Sequence, residues 1–324
     1  MPRLYGLDAL RGVAALSVAI YHFAVLFGWK DPPLQPTLAV DLFFVLSGFV
    51  LTRTYEQRLH AELTVPDFIV LRYRRLFAPM AIGSTLGLVW ASLESGLTTD
   101  LVFAYALILG FMPSLWMGSI FLLNLPVWSL FGEITSNVLH GVLFARLSTI
   151  GLFGLWFGIT AQYCTSFLMA PVHWGPHLGF ILPLIVREIG NYLLGILMFR
   201  MYAEKPLFNR PYLAIGAFVV LLYVAWLSPF LEILSMLAAA ALIRATLSLG
   251  PARWSVWLGA ISYPLYATHW PIGLLAKMYG FDPFTTFAFA LLVAALITVY
   301  FEGTSKRSTR RVQSRKADTA GQLA

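Results

Sequence analysis

Apolar positions along this chain gather into runs of membrane-spanning length that recur from end to end, separated by short polar breaks. That pattern predicts an all-α integral membrane protein with many crossings, since a helix satisfies its own backbone groups within the hydrocarbon. Candidate spans cover 8–28, 38–54, 76–93, 101–117, 128–146, 150–168, 180–199, 211–229, 231–249, 257–279 and 284–302. Basic residues cluster at span ends, as the positive-inside rule requires. Placing both the N-terminus and the basic tail (Lys306, Arg307, Arg310, Arg311, Arg315, Lys316) in the cytosol demands an even number of crossings. The weakest candidate, 101–117, follows Glu94 and Asp100 and runs into a stretch punctuated by Pro and Gly. With 101–127 re-entrant or at the outer surface, about ten transmembrane helices remain. Of the 22 Lys and Arg, only Lys30, Arg187 and Lys277 then fall toward the outside.

Composition narrows the class. Hydrophobic residues are 59% of the chain and charged ones 11%, far below the roughly 25% charged of a soluble domain. The formal charge of +7 sits at span ends, so it reads as a topology signal and lipid contact, with no nucleic-acid partner. A single Cys164 excludes an intramolecular disulfide framework and a Cys-based metal site. The first apolar run holds Arg11 and is expected to be retained. The organisation expected is one membrane domain over 1–304 and a disordered basic cytosolic tail over 305–324. The longest polar stretch before that tail is 53–75, an inner loop with five arginines against Glu56, Glu62 and Asp67.

Candidate chemistry begins with Arg11 and His22, eleven positions apart in the first span. At about 100° per residue that is close to three full turns and roughly 16 Å of rise, so both lie on one face. Ionisable groups at bilayer depth usually line a protein-enclosed or watered cavity. Asp8, one turn before Arg11, extends the stripe. A histidine there can accept and return a proton near neutral pH. In the second span, Asp41 reads as a helix cap or cavity residue. Ser47 with Gly48 reads as a helix-packing pair or a polar lining. Arg72, Arg74 and Arg75 form a patch suited to anionic headgroups or to a phosphate-rich cytosolic ligand. Glu133, with Asn137 and His140 on the same helical face, suggests a lined cavity. His269 lies on a span that Pro264 and Pro271 would kink, a combination that marks a candidate cavity wall, with packing on Trp270 the competing reading. Arg187, Glu188 and Asn191 read as a buried neutralised group serving stability. His173 and His177 have metal-like spacing, but Gly175 and Pro176 argue against a helix there, and no metal site is expected.

Five stretches together resemble the acyltransferase-3 family, the bacterial membrane O-acyltransferases of surface glycans. They are LDALRGVAALSVAIYHF (7–23), VDLFFVLSGFVL (40–51), FIVLRYRRLFAP (68–79), WSLFGE (128–133) and LGAISYPLYATHWPI (258–272). The resemblance implies about ten spanning helices in the cytoplasmic (inner) membrane and acyl-CoA, most often acetyl-CoA, as cytosolic co-substrate, with no tightly bound cofactor. It maps the family's Arg-x10-His motif onto Arg11 and His22, its Ser-Gly motif onto Ser47 and Gly48, and its inner-face arginines onto Arg72, Arg74 and Arg75. His22 is implied as the catalytic residue, with Glu133 retained. Family members often read WSLSVEEQ where this chain has WSLFGEIT, so Ile134 replaces a neighbouring acid and a role needing two carboxylates is in doubt. Acyl transfer is expected to be completed by the membrane domain alone.

The expected reaction moves an acyl group from CoA, held on the arginine cluster, to a hydroxyl of a surface or lipid-linked glycan. His22 serves as general base or as transient nucleophile, two routes the sequence does not separate. Ser47 is a candidate donor to the oxyanion. The rival expectation is a transporter or flippase of a glycolipid or small anion using the same intramembrane polar residues. The lack of visible internal repeats and the basic inner patch weigh against it.

Overall fold

Long apolar runs in this chain become helices, and each expected span contains one. The computed structural model describes residues 2–30, 32, 34, 36–117, 119–169, 181–224 and 229–301. In chain order the helices are α1 (Tyr5–Leu26), α2 (Pro36–Ala61), α3 (Val65–Ser95), α4 (Thr99–Leu109), α5 (Val127–Val142), α6 (Thr149–Met169), α7 (Ile181–Tyr202), α8 (Pro211–Val224), α9 (Pro229–Thr246), α10 (Arg253–Met278) and α11 (Pro283–Phe301). Among the described residues there is no strand. Five helices, α1, α2, α3, α7 and α11, are long and apolar enough by themselves to cross a membrane, which makes the chain multi-pass. His173, His177 and the tail 302–324 lie outside the described residues.

The polar stretch 53–75 is not a loop. α2 runs on to Ala61 and α3 starts at Val65, because the Arg, Glu, Gln and Leu residues here are good helix formers. Thr64 caps α3 by accepting from the Asp67 amide (3.3 Å), with a proline in the first turn. Arg72, Arg74 and Arg75 therefore stand on a rigid helix. α4 is short for a related reason: it ends at Gly110, and Phe111 takes φ 61°. The backbone beyond stays irregular up to α5, yet Phe111, Ile120, Phe121 and Leu123 are buried. Irregular backbone is tolerated at such places when protein covers it.

The main packing pairs are α1 with α10, α2 with α7 and α3 with α10. Small residues permit these approaches. A Cβ on Gly48 would sit 2.0 Å from the Tyr192 carbonyl oxygen, and one on Gly195 would sit 2.1 Å from that of Val45, so α2 and α7 touch backbone to backbone. Gly48 thus serves packing, while its neighbour Ser47 points the other way. The two prolines inside α10 each lack an N–H for the carbonyl four residues back. Both stranded carbonyls find partners: Ala260 O accepts from Thr298 Oγ1 (3.3 Å) and Ala267 O from Asn124 Nδ2 (2.9 Å). α10 is thereby tied to α11 on one side and to the irregular segment on the other. At the Arg-rich end, Arg53 pairs with Glu204 (2.7 Å) and Arg200 with Glu56, which bind the end of α7 and its continuation to α2.

Candidate active site

Between α1, α2, α3, α5, α10 and α11 lies a cavity of about 960 Å³. Four arginines, Arg11 from α1 and Arg72, Arg74 and Arg75 from α3, line it together with Glu133 from α5, a net excess of three positive charges. Positions 72, 75 and 79 follow one helical face, and Arg74 joins the wall from the flank of α3. Arg72 is nearly buried and donates from Nη2 to Glu133 Oε1 at 2.7 Å. Ser47 Oγ donates to the same oxygen at 3.3 Å. Glu133 therefore neutralises Arg72 and fixes Ser47, while Arg74 and Arg75 stay exposed and Arg11 half-buried. The residual charge suits a polyanionic ligand.

The second part of the site lies farther along α1 and α10. His22 Nδ1 and His269 Nε2 are 2.8 Å apart, with the imidazoles edge to edge, 5.1 Å between centroids and 10° between planes. His269 Nδ1 lies 3.0 Å from the carbonyl oxygen of Leu265. Trp270 and Tyr21 stand edge-on to His22 at 5.3 and 5.7 Å. Neither histidine lines the arginine cavity. Tyr266 connects the two regions: it lines the cavity, its hydroxyl meets Ser129 Oγ at 2.7 Å, and its ring is 6.0 Å from that of His269.

The remaining sequence candidates go elsewhere. Asp8 does not line the cavity; it accepts from Arg3 Nε at 2.6 Å and packs against Gly259. Asp41 is fully buried and held by Arg187 through two hydrogen bonds (2.9 and 2.6 Å) and by Asn191 Nδ2 (2.7 Å). Arg187 also donates to Tyr163 at 2.9 Å, and Asn191 reaches Glu188 at 3.2 Å. This buried cluster joins α2, α6 and α7. His140 Nδ1 meets the Tyr192 hydroxyl at 3.0 Å, and its other nitrogen and both amide atoms of Asn137 are buried without a partner among the described residues. Among the described residues no group of His, Cys, Asp and Glu could hold a metal ion.

Sequence reading passed over Ser129, Tyr263 and Tyr266 as site residues. Signals were present: Ser129 stands one turn before Glu133, and Tyr266 stands one turn before His269 on α10, with Tyr263 one turn before Tyr266. The hydroxyl of Tyr263 donates to the Leu76 carbonyl oxygen, pinning α10 to α3 beside the arginines.

A family model described as an acyltransferase domain matches residues 4–302. A protein called "Protein 2 in picA locus" from Rhizobium radiobacter is 35% identical over 153 residues, 41% of this chain and 78% of that protein. A putative peptidoglycan O-acetyltransferase, YrhL, from Bacillus subtilis (strain 168) is 39% identical over 92 residues, 27% of this chain. That match spans only 13% of the Bacillus protein. No solved structure matches.

Proposed function

Because the chain belongs to the acyltransferase domain family and is an acyltransferase, we propose that it moves an acyl group, acetyl by preference, from cytosolic acyl-CoA to a hydroxyl of a surface or lipid-linked glycan. The observation that carries the reading is the arginine cavity opening next to the histidine pair. Its volume of about 960 Å³ is at the upper end of what small-molecule sites offer. Arg74 and Arg75 contact the nucleotide phosphates, and Arg11 steadies the arm that leads inward. The thioester passes Tyr266 to reach His22. The relative from Bacillus subtilis, by its name an O-acetyltransferase of peptidoglycan, supports a glycan hydroxyl as acceptor.

His22 takes the proton of the acceptor hydroxyl as the oxygen attacks the thioester carbonyl. The carbon–sulfur bond then breaks, the proton passes to the departing thiolate, and free CoA and an acylated glycan are released. Transient acylation of His22 itself gives the same products by two steps. In this arrangement ten helices cross the inner membrane, 101–127 does not cross it, and both termini and the Arg-rich end face the cytosol.

The test is thioester consumption by purified protein in nanodiscs, given acetyl-CoA and the deacylated envelope glycan of a strain lacking the gene. Release of free CoA with one acetyl gained by the glycan per CoA is expected. Transport without CoA release would overturn the reading.

A further inference from the structure

The imidazole pair carries more information than a contact. A carbonyl oxygen only accepts, so the 3.0 Å contact with Leu265 O places a hydrogen on His269 Nδ1. In the neutral ring, His269 Nε2 is then a bare acceptor. The 2.8 Å bond between the rings must be donated by His22 Nδ1. That leaves the lone pair of His22 on Nε2, which has no hydrogen-bond partner among the described residues.

Resting on the acyltransfer reading above, we propose that His269 is the positioning residue of the reaction: it holds His22 in the tautomer whose Nε2 serves as base or nucleophile. The device follows the logic of a hydrolase triad, in which a third group orients the imidazole and sets its reactive nitrogen. Here the third group is a neutral imidazole, itself oriented by a backbone carbonyl. When His22 gains the acceptor's proton at Nε2, its Nδ1–H keeps its bond to His269, and the new positive charge is shared along a preformed hydrogen bond. The proton returns from Nε2 to the leaving thiolate, so His269 neither gains nor loses one over the cycle.

Burial makes His269 dependable in this task. It is fully buried, with the ring of Phe23 edge-on at 6.1 Å and Tyr266 at 6.0 Å. Pro271 and Pro264 flank it on α10, and Asn124 holds the Ala267 carbonyl that Pro271 leaves free. The ring therefore has little room to turn, and the His22 tautomer is set by the scaffold before substrate arrives.

Steady-state acetyl-CoA kinetics of His269→Leu, His269→Gln and His269→Asn in nanodiscs, with the glycan acceptor above and His22→Ala as control, test the assignment. Leucine removes the acceptor and is expected to lower kcat about 10²-fold with the acetyl-CoA KM within about twofold of wild type. Glutamine can place a carbonyl near the imidazole Nε2 position and is expected to regain about tenfold of that loss. Asparagine is too short to do so and is expected to behave like leucine. Wild-type kcat in the leucine variant, or equal activity of the glutamine and asparagine variants at wild-type thermal midpoints, would overturn the assignment. If leucine does not accumulate, the glutamine–asparagine comparison decides. Absence of CoA release by the wild type would sink the acyltransfer reading itself, whereas a dead His22→Ala beside a fully active His269→Leu would sink only the role of His269.

Discussion

Arg72 and Glu133, 61 positions apart in the chain, meet at 2.7 Å and join α3 to α5 in the wall of the arginine cavity. The bond does two jobs at once. It neutralises the most buried arginine of the cluster, and it leaves the more accessible Arg74 and Arg75 as the charges available to a ligand.

Breaking that bond from the acid side strands a cation. Arg72 is 8% exposed in its side chain, and its Nε already lacks a partner among the described residues. Glu133→Ala is expected to cost about 2–3 kcal/mol of stability, below the ~3–5 of a fully buried pair because Glu133 is partly exposed. Arg72→Leu together with Glu133→Ala is expected to recover part of it, a coupling on the order of 1–3 kcal/mol. Apparent thermal midpoints of the four proteins in one detergent measure this, and additive losses would remove the pair from the account.

Removing the exposed arginines is expected to act on donor binding. Arg74→Ala and Arg75→Ala are each expected to raise the acyl-CoA KM about tenfold, near the low end of a charge-assisted contact because both are exposed in the cavity wall. A binding effect of this kind leaves kcat nearly unchanged. The KM of the wild type is also expected to rise with ionic strength more steeply than that of the double variant. An unchanged KM in the double variant would leave these residues a topogenic role alone.

Replacing His22 is expected to separate chemistry from folding. His22 is half-buried and its bonds run to one side chain, so His22→Ala is expected to keep its yield and thermal midpoint. Glycan acylation in cells lacking the native gene is expected to fall by about 10²–10⁴-fold. His140→Ala, which opens a polar void next to Tyr192, is expected to lose stability and retain more activity per folded molecule. Near-normal acylation by a well-expressed His22→Ala protein would contradict the mechanism.

Adding a methyl group at the α2–α7 contact is expected to be costly. A Cβ at Gly48 meets the Tyr192 carbonyl oxygen at 2.0 Å, whereas one at Gly154 meets nothing within 4 Å. Gly48→Ala is expected to lose about 1–3 kcal/mol, since the helices must part to admit it. Gly154→Ala is the control, with no loss expected. Equal thermal midpoints for the two variants would mean that the helix pair yields freely.

Much of the architecture is legible in the chain alone. The apolar runs locate the helices because a membrane leaves the backbone no other way to satisfy itself there, and basic residues mark span ends. The spacing of Arg11 and His22 places them on one face of one helix, for which geometry suffices. What local spacing does not contain is which helix stands opposite. His22 faces His269 across 247 positions, Asp41 faces Arg187 across 146, and Arg72 faces Glu133 across 61. Read from sequence, Asp41 and His269 were equivalent cavity candidates. Tertiary packing turned Asp41 into a buried ion-pair partner of Arg187 and His269 into a partner for His22. The physical reason is that periodicity fixes the direction of a side chain around its own axis, while a buried charge or imidazole takes its state from the group that packing brings within hydrogen-bond reach. For α1 and α10 that approach is set by small residues such as Gly12 and Gly259 and by the two prolines of α10, contacts that exist only once the helices have assembled.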